Sequence, residues 1–385
     1  MKIDLGEPND SLVLIVEDHP TSRKILESML KGRYSVVAAA DGQEAVSLAA
    51  SRQPDIVLLD IELPEMDGFE TLRHLRSYAL DPSVPVIFLT GRADDESREK
   101  GLEAGAVDYL TKPYNKSELS IKVRNHLALH KARKEIERAN RMMSLEMEMA
   151  SQLQLSLLPR ELPASERLDV RVIYRPSSVA SGDFYDVFET DNGRVGFCQV
   201  DVSGHGVRSA MIGAMFKMAF HSLARGGNSP SEVLGRINDQ MYDLIPEEEY
   251  LSVFYGVIDL DLLELTFTNG GHPSPYLYRK RNGTIEELSA GGMVVGAFPG
   301  VVYDESCLAL ETDDRILLYT DGVSEAACRT DEMEFYGSAR LKEIFRANVD
   351  IGSQALLDRI IADLVDFHGG ALFDDDVSLL LATIK

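Results

Sequence analysis

Five short apolar runs, each followed by a helical pattern, fill the first 125 residues, and this alternation restricts the fold more than any other feature. The runs are LVLIV (12–16), SVVAA (35–39), DIVLLD (55–60), VPVIFLT (84–90) and AVDYL (106–110). Helical periodicity follows at 21–30, 43–51, 69–76, 96–103 and from 117 onward. Strands that are apolar throughout must be covered on both faces, which points to parallel strands joined by crossover helices. The chain is therefore expected to begin with a doubly wound α/β domain. In such sheets functional groups collect beyond the carboxyl ends of the strands.

The residues at those ends form a chemical set. Glu17 and Asp18 follow the first run, Asp60 ends the third and Thr90 the fourth, and Lys112 follows the fifth, before Pro113. Clustered carboxylates repel one another, and a hard cation such as Mg2+ relieves the repulsion. A carboxylate beside that cation can attack a phosphoryl group and form an aspartyl phosphate. Lys112 can neutralise the phosphoryl group and Thr90 can hydrogen-bond it. One acidic residue at a strand end is usually a capping or surface group; five suitable residues at matching ends call for a common cause. The motifs VEDHP, LLDIELPEMDG, FLTGRA and YLTKPY resemble the chemotaxis-type receiver family, over residues 10–128. That resemblance implies Asp60 as phosphoacceptor and Mg2+ held by Glu17, Asp18, Asp60 and the Glu62 backbone carbonyl. It implies Thr90 as switch hydroxyl, Tyr109 as switch aromatic and Lys112 as phosphate-binding lysine. The phosphodonor would be a sensor histidine kinase or a phosphotransfer protein.

Residues 117–158 contain neither proline nor glycine and are rich in good helix formers. Leu129, Ile136, Met143, Ala150 and Leu157 recur every seventh residue between charged neighbours such as Arg133, Glu137 and Arg138. This predicts a helical linker over 129–160, as a coiled coil that would make a homodimer. Mixed seam positions (Ala139, Glu146, Leu153) leave open an amphipathic helix packed on its own chain. The segment QLQLSLLPRELP (152–163) stops the helix at its prolines. It also resembles the segment that precedes the phosphatase domain in sigma-factor-regulator phosphatases.

Beyond residue 165 the pattern changes. Strand-like runs lie at 168–175, 184–190, 195–202, 251–259, 262–268, 274–279, 306–311, 315–320 and 377–384. Helices are expected at 207–225, 229–245, 338–347 and 353–367. Many strands with grouped helices predict an α+β sandwich, two sheets with helices outside. Asp183, Asp201, Asp321 and Asp375 sit at strand ends, often beside glycine, with Asp376 next to the last. Such aspartates are turn formers in their own right. Together they supply the oxygen-rich set that two hard cations require, and such a pair can activate water for in-line attack on a phosphoester.

GDFYDV, VDVSGHGV, FTNGGHPSPYLY, LYTDGVSEA and DDVSLLL resemble the PPM-type protein phosphatases, in their sporulation and sigma-factor-regulator branch, over residues 165–385. The resemblance implies Asp201 shared between two Mn2+ or Mg2+ ions, with Asp321 and Asp375 on one and Asp183 and the Val202 carbonyl on the other. It implies hydrolysis of phosphoserine or phosphothreonine without a phosphoenzyme, on a phosphorylated anti-sigma-factor antagonist. Ser181 stands where the family often has glycine, and GGMVVGAF (291–298) lacks the proline of the usual turn. His205 is a candidate general acid, His272 a weaker one. Met211, Met215 and Met218, at helical spacing, are expected in the core. The alternative reading is a switchable adaptor on an inactive phosphatase fold.

A formal charge of −24 argues against a nucleic-acid partner, and no basic helix-turn-helix pattern is present. No apolar run approaches the roughly 20 residues of a membrane span. The start MKIDLGEPND is unlike a signal peptide, so a cytoplasmic protein is expected. Cys198, Cys307 and Cys328 are scattered, which predicts neither a disulfide framework nor a zinc site.

Overall fold

The structure is a computed structural model that describes residues 11–91, 104–163, 165–177, 181–204, 206–329 and 331–385. The chain divides into two compact units, Met1–Met143 and Ser144–Lys385.

In the first unit β1 (Leu12–Val16), β2 (Ser35–Ala39), β3 (Ile56–Asp60), β4 (Val86–Thr90) and β5 (Asp108–Thr111) form a parallel sheet in the order β2-β1-β3-β4-β5. Helices α1 (Pro20–Leu30), α2 (Gly42–Arg52), α3 (Gly68–His74) and α4 (Lys116–Leu157) alternate with the strands. The expected helix at 96–103 lies outside the described residues. Local chemistry sets the starts: Pro20 opens α1, and the Asp41 and Asp67 side chains cap α2 and α3. Alternate strand residues point to opposite faces. Leu14, Val16, Val57, Leu59 and Phe88 therefore pack with Ala45 of α2 and Leu72 of α3. Val13, Ile15, Leu58, Ile87 and Leu110 pack with Leu26 of α1 and with Leu119, Val123 and Leu127 of α4. The strand order reverses direction at β1. This places the ends of β1 and β3 side by side, where such sheets hold their ligands.

Helix α4 runs for 42 residues. Its buried residues are confined to Leu119, Val123, Leu127 and His130. The heptad residues Leu129, Ile136 and Met143 are 68%, 61% and 61% exposed. These three are mostly open to solvent.

The second unit is a four-layer sandwich. One antiparallel sheet comprises β7 (Phe184–Glu189), β8 (Val195–Val202), β9 (Leu251–Asp259), β10 (Glu264–Gly270) and β13 (Ser306–Ala309). The other comprises β6 (Leu168–Arg175), β11 (Tyr276–Arg279), β12 (Thr284–Glu287), β14 (Arg315–Tyr319) and β17 (Val377–Ile384). Phe197, Phe254, Leu265, Leu277, Leu318 and Leu380 fill the space between the sheets. Helices α5 (Val207–Ala224) and α6 (Pro230–Leu244) cover the first sheet. The one-turn α7 (Asp321–Ser324) follows β14. Helices α8 (Gly337–Ala347) and α9 (Ser353–His368) cover the second sheet, and β15 (Ala327–Cys328) pairs with β16 (Asp331–Phe335).

One expectation is corrected here. Met211 and Met218 are 62% and 76% exposed, and Met215 is only partly buried. The inward face of α5 is instead Ile212, Phe216 and Phe220. The helix is apolar on most sides, so spacing alone cannot choose its inner face. Aromatic packing chooses it: the Phe220 ring meets Tyr255 edge-on at 4.8 Å and stacks on Phe216 at 5.4 Å.

Candidate functional site

The first site is built at the carboxyl rim of the parallel sheet. Glu17 and Asp60 are buried there, and Glu17, Asp18 and Asp60 each present a carboxylate oxygen within 4.8 Å of the others. Lys112 donates to Asp60 Oδ2 at 2.5 Å and lies 3.0 Å from Glu17 Oε2. Tyr114 donates its hydroxyl to Glu17 Oε2 at 2.6 Å. The Glu62 backbone N–H donates to Asp60 Oδ1 at 3.2 Å. Burial pushes Asp60 up to about 6, with Glu17 adding repulsion and Lys112 pulling the other way. Burial alone would lower Lys112, but its bonds to Asp60 and Glu17 hold it above its ordinary value. Thr90 is buried at the end of β4. The Tyr109 ring on β5 lies 5.0 Å from the Lys122 ammonium of α4, which pairs with Asp108 at 2.6 Å. The donor set fits Mg2+: all hard oxygens, close together, with Glu17 and Asp60 buried and Asp18 open to solvent.

The second site gathers residues from both sheets of the sandwich. Asp183 precedes β7, Asp201 and Val202 end β8, Asp321 opens α7 and Asp375 precedes β17. Asp183, Asp201 and Asp321 each feel the charge of others in the set. Burial, then repulsion from Asp321 and Asp375, pushes Asp201 up to about 7. Burial, then Asp375 and Glu325, pushes Asp321 up to about 6. Asp183 is raised well above its ordinary range by burial and by Asp201. The Asp183 Oδ2 atom is buried without a hydrogen-bond partner among the described residues. A buried carboxylate oxygen in that position is unfavourable unless a proton or a cation takes it, and with further carboxylates beside it the site fits divalent metal. The carboxylate oxygens here are more widely spread than in the first site. Among the described residues only Glu17, Asp18 and Asp60 close to mutual distances within 4.8 Å.

Two glycines let the backbone close in around these ligands. A Cβ on Gly182 would lie 2.7 Å from the Val202 carbonyl oxygen, and one on Gly322 only 2.0 Å from the Asp376 carbonyl oxygen. No other residue permits such approach.

Residues 191–385, just over half of the chain, match the family described as Stage II sporulation protein E (SpoIIE). The chain belongs to the SpoIIE family. Residues 13–124 match the response regulator receiver domain, so a receiver is joined here to a SpoIIE-type PPM phosphatase domain. Phosphoserine phosphatase RsbU of Bacillus subtilis (strain 168) is 30% identical over 236 residues, 61% of this chain and 69% of the relative. Phosphoserine phosphatase RsbP of the same organism is 28% identical over 244 residues, 62% of this chain and 58% of the relative. The solved SiaA-PP2C domain of Pseudomonas aeruginosa superposes with a TM-score of 0.57 at 22% identity, covering 64% of this chain and 98% of that one. The likeness shows a PP2C-type fold. No helix among the described residues is long and apolar enough to cross a membrane.

The two candidate acids of this SpoIIE-family chain differ in standing. His205 lies outside the described residues. His272 is buried, with Nδ1 3.0 Å from the Pro273 carbonyl and its backbone clasped by the Asn269 amide. Burial lowers it to about 4, so it is neutral near pH 7 and has no acidic proton of an imidazolium to give. Sequence reasoning missed Tyr114 and Glu325, and named Asp376 without giving it a role. Asp376 accepts hydrogen bonds from Ser177 N, Ser177 Oγ, Ser181 Oγ and Gly182 N at 2.5–3.0 Å, and so ties β17 to the segment before Asp183. Its position inside DDD was the one available signal.

Proposed function

We propose that this chain is a response regulator whose output is metal-dependent dephosphorylation of phosphoserine or phosphothreonine on a protein, controlled by phosphorylation of Asp60. The observation that carries the reading is the set of aspartates from both sheets, Asp183 buried and Asp201 and Asp321 half-buried, repelling one another around one rim. Asp60 would take a phosphoryl group from a sensor histidine kinase or a phosphotransfer protein, with Lys112 neutralising it. Thr90 would turn toward it and Tyr109 would follow. Glu17, Asp18, Asp60 and the Glu62 carbonyl would hold Mg2+. Asp201 would be shared between two Mn2+ or Mg2+ ions, with Asp321 and Asp375 on one and Asp183 and the Val202 carbonyl on the other. Bound there, the cations supply Lewis acidity toward the phosphoryl oxygens and acidify water. The protein's own part is to hold the aspartates close together, where their raised affinity for protons is an equal readiness for cations. His205 is proposed as the proton donor to the leaving serine or threonine oxygen.

The domains are proposed as a receiver over 10–128, a linker over 129–160 and a phosphatase over 165–385. The exposed Leu129, Ile136 and Met143 support a homodimer through a linker coiled coil. Kinship with phosphoserine phosphatases supports a phosphorylated anti-sigma-factor antagonist as substrate. The test is Mn2+-dependent phosphate release from a phosphoserine protein by the full chain. Asp201→Ala is expected to lose about 100-fold or more, since even partners of metal ligands cost about 10–100-fold. Equal rates in Asp201→Ala and the unaltered chain would leave the adaptor reading instead.

A further inference from the structure

The last turns of α4 belong to the second unit and meet the segment that carries Asp183. Gln154 pairs with Ser181 much as a neighbouring strand would. Its amide nitrogen donates to the Ser181 carbonyl at 2.5 Å, and its amide oxygen accepts from the Ser181 N–H at 3.0 Å. The buried Ser181 hydroxyl in turn donates to Asp376 Oδ2 at 2.5 Å and accepts from the Asp183 N–H at 3.0 Å. A glycine, the residue expected here from the family pattern, could make neither of those two bonds. One turn away, Lys217 of α5 donates to the Leu157 carbonyl at the end of α4. The same ammonium lies 3.5 Å from Asp186 and 5.0 Å from the Phe184 ring. Both contacts of the helix end thus lead to the start of β7, the stretch that begins at Asp183.

We infer that Ser181 and Gln154 are positioning residues for Asp183: the serine hydroxyl fixes the ligand segment against Asp376, and the glutamine ties that segment to the linker helix. The inference rests on the reading of Asp183 as a metal ligand. A helix advances about 1.5 Å per residue, and a hydrogen bond is lost beyond about 3.5 Å. A slide or turn of α4 by less than one residue therefore breaks the Gln154 pairing and frees Ser181. Ser181 then carries the displacement to the Asp183 N–H through one hydroxyl.

The test is Mn2+ binding to the full chain, with the receiver site as an internal control because both residues belong to the second unit and that site to the first. Ser181→Ala and Gln154→Ala are each expected to weaken Mn2+ binding at the phosphatase site about fivefold to tenfold, the effect of losing one or two hydrogen bonds. Receiver affinity should be unchanged. The Mn2+ concentration for half-maximal phosphate release should rise in proportion, with the rate at saturating metal near that of the unaltered chain. A merely structural role would lower the melting temperature without this metal dependence. Gln154→Ala places a good helix former at a half-buried helix position, so it keeps the test open if Ser181→Ala folds poorly. Wild-type Mn2+ affinity in both variants overturns the inference. Asp201→Ala, measured in parallel, separates the two ways of failing. If it alone loses Mn2+, only the positioning roles fall; if it binds Mn2+ as the unaltered chain does, the site assignment falls and the inference with it.

Discussion

Burial and mutual repulsion act on the same three carboxyl groups at the rim of the sandwich. Asp183, Asp201 and Asp321 all hold their protons to higher pH than a free aspartate. In the cation-free chain the folded state therefore keeps protons that the unfolded chain has already released. The stability from these groups is full below the ordinary value of 3.8 and is lost as pH rises through about 6 to 7. With a chelator present, the melting temperature of the phosphatase unit should fall between about pH 5 and about pH 8. Asp201→Asn removes one charge from the cluster. It should flatten that fall and melt higher than the unaltered chain at the upper end, by about 2–4 °C for each kcal/mol relieved. Added Mn2+ should reverse the order. If Asp201→Asn melts lower at every pH, the electrostatic account of the site is wrong. A second residue-scale expectation concerns Tyr114. Its hydroxyl and Lys112 hold the Glu17 carboxylate from two sides. Tyr114→Phe should weaken Mg2+ binding to the receiver about fivefold, as loss of one charge-assisted hydrogen bond implies; fluorescence titration with Mg2+ checks it. The carboxylates were legible in the sequence because each lies close to one end of an apolar run. Tyr114, Asp376 and Ser181 were not, because their bonds join residues 97, 199 and 195 positions apart.

At the scale of elements, legibility followed local chemistry. Helix α6 announces itself: Ser229 and Glu232 form a capping box around Pro230. Helix α9 ends at Gly369 in the left-handed region. Strand β12 was missed because TIEE is a short polar edge with no apolar alternation. The face of α5 was misjudged because methionine and phenylalanine both satisfy an apolar stripe, and only the partner sheet distinguishes them. That distinction is measurable. Phe216→Ala should cost about 3–5 kcal/mol in chemical denaturation, by opening a cavity under the aromatic cluster. Met218→Gln, on the outer face, should stay within about 0.5 kcal/mol. The exposed heptad of α4 makes a parallel case. Ile136→Lys with Met143→Lys should turn a dimer into a monomer in sedimentation while leaving the melting of the sandwich unchanged. A monomer in the unaltered chain would end the coiled-coil proposal.

The whole molecule joins two phosphate sites of opposite chemistry, one that would accept a phosphoryl group on Asp60 and one that would remove it from another protein. Among the described residues, the secondary-structure element shared by the two units is α4, which spans the division between Met143 and Ser144. At its start, Lys122 lies over the Tyr109 ring and His126 lies 3.1 Å from Asp108. At its end, Gln154 holds Ser181. A helix without proline or glycine resists bending, so a displacement imposed at one end is passed to the other. The coupling should therefore depend on the helix being continuous. A beryllofluoride mimic of the phosphoryl group should change the phosphatase rate of the unaltered chain, and Asp60→Asn should make that rate indifferent to it. Ala139→Pro removes one backbone bond from the middle of α4 and disfavours the helix there by about 3 kcal/mol. Each site should still work in that variant: Asp60 should take phosphoryl from a small phosphodonor, and Mn2+-dependent phosphate release should persist. The response of the second to the first should be lost. If Ala139→Pro responds to beryllofluoride as fully as the unaltered chain, the signal does not travel along α4, and the two units must communicate by a surface contact instead.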